Sequence, residues 1–142
     1  MSNDFNEFNR NLIADLRANG GKPTSGPFLG RPVLILTTQG ARSGEARENP
    51  LVYTRDGDRL VVIASKGGAP THPAWYHNLR SNPEVVVEVL GDRFSARAES
   101  LDEGDEYERL YGAQAEVMPA FNEYRTKTDR KIPVVVLEKV AG

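Results

Sequence analysis

The sequence contains no cysteine. That removes disulfides, thiolate nucleophiles and Cys-based zinc sites, and it fits a reducing cytoplasm, the expected location. Only two histidines occur, His72 and His77, with no acid at a zincin-like spacing, so no metal site is expected. An excess of positive charge is also missing: 18 basic residues face 20 acidic ones, for a net charge of -2. Nucleic acid is therefore not an expected partner. The longest apolar runs, Val33 to Leu36 and Val134 to Leu137, are far too short to span a bilayer. Met1 to Arg10 holds two acids and no apolar run, unlike a secretory leader. What remains is 142 residues, 39% hydrophobic and 27% charged. That suits one globular domain with a real core.

Along the chain, Asp4 to Ala18 reads as an amphipathic helix. Phe5, Phe8, Leu12 and Leu16 recur at spacings of three and four, which places them on one stripe. Asp4 and Glu7 resemble a capping box. Two placements of the stripe are open: packed on the domain, or resting on the inner face of the cell membrane as a weak surface contact. The Gly/Pro-rich stretch Gly20 to Gly30 reads as a linker. The expected division is thus 1–30, a helix and linker that could be removed, and 31–142, the functional domain.

Strand signals follow. Pro32 to Thr38 is a branched apolar run, and Leu51–Thr54 and Leu60–Ser65 flank an Asp-Gly pair, a strong hairpin signal. Pro73 to Ser81 reads as a short helix closed by Asn82-Pro83. Glu84–Leu90 and Arg93–Glu99 form a second hairpin about Gly91-Asp92. Leu101 to Val117 is a helix with an acidic first turn, broken at Met118-Pro119, and Ile132–Glu138 is the last strand. No ten-residue helix separates successive strands, which disfavours a doubly wound parallel sheet. The expected fold class is α+β, mainly β: a barrel of about six mostly antiparallel strands with peripheral helices.

Four segments can carry chemistry. Gln39–Arg47 combines two glycines with Arg42 and Arg47; arginine pairs with phosphate or carboxylate through two hydrogen bonds. Ala64–Pro70 offers Ser65, Lys66, Gly67 and Gly68, again suited to phosphate, though the GxxxxGK[ST] spacing is absent. His72–Leu79 contains the only tryptophan, Trp75, which either packs in the core or walls a flat ring. In Ala120–Arg125, Phe121 and Tyr124 stand one turn apart, and Tyr124 carries a phenol able to donate.

These pieces, in this order, resemble the deazaflavin-dependent nitroreductase and quinone reductase family, whose members use reduced coenzyme F420. The residues that carry the resemblance are Leu36–Gly44, Arg47–Leu51, Ala64–Ala69, Pro73–Leu79 with Asn82-Pro83, and Thr128–Val134. The resemblance implies a split β-barrel and hydride transfer to a quinone or nitro compound. It implies coenzyme contacts from Ala41, Arg42, Ser43, Arg47, Asn49, Pro50, Leu51, Val52, Ile63, Ala64, Ser65, Lys66, Gly67, Trp75, Tyr76 and Asn78. Arg42, Arg47 and Lys66 would hold the phosphate and glutamyl tail; Pro50, Val52, Ile63 and Ala64 would line the ring. On the substrate side it implies Met118, Phe121 and Tyr124, with Tyr124 as the catalytic phenol. Here Ala41 replaces a basic residue common in the family, and Met118 and Phe121 stand where tyrosines are common. An FMN-using relative of the same fold, or a coenzyme-binding protein without turnover, are the competing readings. Monomer and homodimer are both compatible with the sequence.

Overall fold

The computed structural model describes residues 3–140, with side chains from residue 7 onward. Phe5 and the Asp4 side of the capping pair lie outside the described side chains. Seven antiparallel strands form one sheet, in the order β2-β1-β5-β6-β7-β4-β3. They are β1 (Val33–Gln39), β2 (Ala46–Val52), β3 (Thr54–Asp56), β4 (Arg59–Ile63), β5 (Glu84–Val89), β6 (Asp92–Leu101) and β7 (Val134–Lys139). The sheet curls until β2 approaches β4, giving the split β-barrel. Four α-helices surround it: α1 (Asn3–Ala18), α2 (Ala74–Ser81), α3 (Asp105–Val117) and α4 (Ala120–Tyr124). None is long and apolar enough to cross a membrane.

Strand alternation divides the apolar side chains between two cores. Leu34, Leu36, Val62, Val85, Val87 and Val135 share one with Trp75 and Leu79 of α2. Val33, Ile35, Val61, Ile63, Val134 and Val136 share the other with α1 and α3. In that second core lie Leu12, Ile13 and Leu16, and Leu16 is only 1% exposed. The linker therefore does not set the helix apart: its apolar face is part of the domain's own core. Phe8, at 37% exposure, sits at the edge, its ring centroid 6.1 Å from that of Phe28. Arg17 fastens the last turn of α1 to the sheet, bonding Glu88 of β5 at 2.7 Å and Glu48 of β2.

Several element boundaries differ from the sequence expectation. The second strand starts at Ala46 and pairs with β1 over seven residues, from Val33 with Val52 to Gln39 with Ala46. It contains Pro50, which an edge strand tolerates because its missing N–H faces no ladder partner. The expected strand Leu51–Thr54 is split at Tyr53, whose N–H turns to the Pro32 carbonyl. Likewise β6 runs on through Leu101, and α3 starts only at Asp105.

Candidate functional site

The first loop, between β1 and β2, is built by glycine and held by Asn78. Gly40 N–H donates to the Glu45 carbonyl at 2.7 Å, and Gly44 takes φ +72. A Cβ on Gly40 would stand 2.7 Å from Ser43 Oγ, so any larger residue there would force Ser43 to rotate away from its bond to Glu45 N–H. Ser43 Oγ accepts from Glu45 N–H at 3.1 Å. From α2, the buried Asn78 accepts the Ala41 N–H at 3.0 Å and donates to Thr38 Oγ1 at 3.1 Å. Thr38 is the cross-strand partner of Arg47, so Asn78 ties the β1 end of the loop to α2 beside that pair. Arg42 is exposed and makes no ion pair among the described residues, whereas Arg47 meets Glu45 at 3.2 Å in full view of solvent. That exposed pair contributes little and leaves Arg47 free to change partner. Asn49, Pro50 and Leu51 are half-buried along the same edge strand.

The second loop has a specific backbone shape. Ser65 is right-handed helical (φ -78, ψ -38), Lys66 is left-handed (φ 47) and so is Gly67 (φ 64). A right-then-left pair turns successive N–H groups into one concavity, an anion nest. The N–H groups of Ser65, Lys66 and Gly67 take no backbone acceptor in this turn, whereas Gly68 and Ala69 bond back to the Ser65 and Lys66 carbonyls. Lys66 is a non-glycine residue at positive φ, a strained conformation that tends to mark function. Its ammonium reaches Thr71 Oγ1 at 3.1 Å. On the far side the turn is pressed against α4: a Cβ on Gly68 would lie 3.0 Å from the Tyr124 carbonyl and from Lys127 Cβ.

The apolar residues of the resemblance divide between the two cores. Val52, Ile63 and Phe121 share one core, and Met118 and Tyr124 are packed against it as partly buried rim. Phe121 is 5% exposed, stacked edge-on to Tyr111 and, at 5.3 Å, to Tyr124. It packs directly against Tyr124 and offers little surface of its own. Tyr111, whose hydroxyl donates to the Phe121 carbonyl at 2.6 Å, is pushed up to about 12 by burial, so it stays a neutral structural phenol. Trp75 and Tyr76 are buried under the barrel. The Tyr76 hydroxyl lies 2.8 Å from Ser100 Oγ and accepts from Arg80 at 2.9 Å. Ala64 is enclosed in the other core. A surface hollow between Leu16, Arg17 and the Leu90-Gly91 turn includes none of these residues.

Three residues that sequence reasoning gave no role also shape the site. Arg130 donates to the Ala64, Ser65 and Ala69 carbonyls and meets His72 Nδ1 at 3.0 Å. Thr38 receives Asn78, as above. Gln114, fully buried, donates to the Val52 carbonyl at 3.1 Å while its Oε1 has no partner among the described residues. A polar residue midway along an amphipathic helix gives no sequence signal of this kind. Arg130 stood within a recognised motif without an assigned partner.

His72 yields a pH prediction. Burial, then the nearby Arg130, His77 and Arg80 charges, push its pKa below the usual value. The folded state thus binds fewer protons than the unfolded chain, where histidine titrates near ~6.5. Its contribution to stability is complete above that value and is lost as pH falls towards the depressed folded pKa. Urea midpoints at about pH 7.5 and 5.5 should show stability declining with acid, and His72→Gln should flatten the decline. An unchanged pH slope in that variant would remove His72 from the account.

A family model described as F420H(2)-dependent quinone reductase matches residues 8–139. The chain belongs to this family. An F420H(2)-dependent quinone reductase of Mycobacterium tuberculosis is 42% identical over 110 residues, covering 76% of this chain and 74% of the relative. A solved structure of an F420-H2 dependent reductase is 41% identical with a TM-score of 0.70, covering 76% of this chain and 95% of that one. Another, solved as a domain-swapped dimer, is 34% identical with a TM-score of 0.71 and covers 95% of this chain and 98% of that one. The family match takes in α1 from Phe8, both glycine loops and the Arg130 segment.

Proposed function

We propose that this protein is an oxidoreductase that passes a hydride from reduced coenzyme F420 to a quinone or similar acceptor. The observation that carries the reading is the Ser65–Gly67 nest, in a turn whose Gly68 packs against the Tyr124 backbone carbonyl, in a chain of the F420H(2)-dependent quinone reductase family. The donor set fits the coenzyme. A nest of N–H groups with Lys66, Arg42 and Arg47 nearby in the two loops suits a phosphate and carboxylate tail. The apolar group of Val52 and Ile63, with its Met118 and Tyr124 rim, suits a flat ring.

When bound, the reduced deazaflavin supplies the hydride, and the protein supplies position and electrostatics. The first loop and the nest hold the tail. Val52 and Ile63 with Phe121 would form the dry apolar backing of the ring. Tyr124, held by Phe121, directs its phenol towards the acceptor oxygen. As a quinone takes up two electrons as hydride, that oxygen gains negative charge and then a proton. The Tyr124 hydroxyl donates the hydrogen bond or the proton and is replenished by solvent.

Tyr124→Phe should therefore keep coenzyme affinity within about two-fold and lower kcat roughly ten-fold, about 1.4 kcal/mol. A fully preorganised donor would contribute about 2.7–4 kcal/mol, and a rim residue less. Steady-state rates of Tyr124→Phe and Tyr124→Ala with one quinone and one nitro compound test this. A silent Phe variant on both substrates would assign Tyr124 to pocket shape alone. Titration of the protein with F420 and with FMN, followed by absorbance, checks the choice of coenzyme; preferential FMN binding would contradict it.

A further inference from the structure

Arg130 turns its guanidinium mainly to backbone carbonyls. Arg17, Arg59, Arg109 and Arg125 each meet carboxylates. Arg130, in the segment between α4 and β7, makes no ion pair among the described residues. Instead, Nη2 donates to the Ser65 carbonyl at 2.7 Å, Nε to Ala69 at 2.8 Å, and Nη1 to Ala64 at 3.3 Å and to His72 Nδ1 at 3.0 Å. A trans peptide points its C=O and the next N–H in opposite directions. With the Ala64 and Ser65 carbonyls drawn to Arg130, the N–H groups of Ser65 and Lys66 must face away from it. The same contacts place an uncompensated positive charge behind those N–H groups.

We infer that Arg130 is the positioning residue of the anion nest, turning the Ser65 and Lys66 N–H groups towards the coenzyme tail by clamping the carbonyls behind them. The inference rests on the reading of Ser65–Gly67 as a coenzyme-binding turn. The clamp needs the planar fork of a guanidinium, because a lysine ammonium cannot serve acceptors spread over Ala64, Ser65, Ala69 and His72. His72 completes it as an acceptor at Nδ1, which requires the neutral ring protonated at Nε2. The charges facing that ring, Arg130, His77 and Arg80, all favour this form.

Arg130→Lys keeps the charge and removes the fork, so it separates positioning from electrostatics. Three measurements read the outcome. The first is the dissociation constant for F420, expected to rise about ten-fold in Arg130→Lys while kcat at saturating coenzyme stays within about two-fold. The second is the nitrogen NMR signal of His72 Nδ1 in the protein without coenzyme, expected to shift in Arg130→Lys because the hydrogen bond from Nη1 is lost while the charge stays. The third is Lys66→Ala made in both backgrounds, expected to cost less affinity on top of Arg130→Lys than in the natural protein. Wild-type affinity in Arg130→Lys, with Lys66→Ala still weakening binding, would overturn the clamp and leave the coenzyme reading intact. Full affinity in both variants would overturn the two together. If Arg130→Lys does not fold, His72→Gln, which leaves the three carbonyl acceptors, should weaken coenzyme a few-fold. No change there would assign Arg130 to stability and overturn the inference.

Discussion

A chain shortened to begin at Gly26 is expected to lose its fold. The reason is the position of Leu12, Ile13 and Leu16 in the same core as Val33, Ile35 and Tyr111. Burying each of these side chains contributes about 1.5–3 kcal/mol, against a total stability of about 5–15 kcal/mol for a typical domain. The point variant Leu16→Ala, at a site only 1% exposed, should destabilise by about 2–5 kcal/mol, the transfer term plus the cavity left behind. Urea unfolding measures it as a lower midpoint with an unchanged slope. Phe8→Ala, at the exposed edge, should cost far less. Cooperative unfolding and coenzyme binding retained by the shortened chain would show that α1 is an appendage, as the glycine-rich stretch after it suggests.

The second large effect is expected on coenzyme binding. Lys66→Ala removes the cation beside the nest, and Arg47→Ala removes the one whose cross-strand neighbour Thr38 is held by Asn78. Each charged contact contributes about 1.5–3 kcal/mol when partly desolvated, so each variant should weaken F420 binding by roughly ten- to a hundred-fold. Because both side chains are exposed, added salt should weaken binding by the natural protein as well. Equilibrium titration at low and high salt gives both numbers. Two well-folded variants with unchanged affinity would place the tail elsewhere.

Much of this arrangement was legible in the residues. The Asp-Gly and Gly-Asp pairs sit at the two hairpins formed by β3–β4 and β5–β6. The antiparallel barrel followed from the absence of crossover helices. The two glycine loops stood out because glycine and arginine or lysine together have few purely structural uses. The extent of β2 did not, because Arg47-Glu48-Asn49-Pro50 has neither alternation nor β propensity; it is a strand only because β1 offers it a ladder. Nor could periodicity choose between core and membrane for α1, since both environments select the same stripe. Leu12 and Leu16 pack on strands distant in sequence, and the Arg17 bonds to Glu48 and Glu88 join residues 31 and 71 positions apart. Contacts of that range leave no local signature. The same holds for Arg130, whose acceptors lie 58 to 66 positions earlier. Phe121 shows the converse: its place in the motif pointed to substrate, while its ring is enclosed between two tyrosines.

The measurement that bears most directly on the account is the oxidation of reduced F420 by the purified protein, followed by the return of deazaflavin absorbance, with and without a panel of quinones. The account predicts turnover that requires both protein and quinone, saturates in coenzyme, and falls in Lys66→Ala through KM and in Tyr124→Phe through kcat. Tight coenzyme binding with no oxidation by any quinone or nitro compound would contradict it and leave a carrier in place of an enzyme.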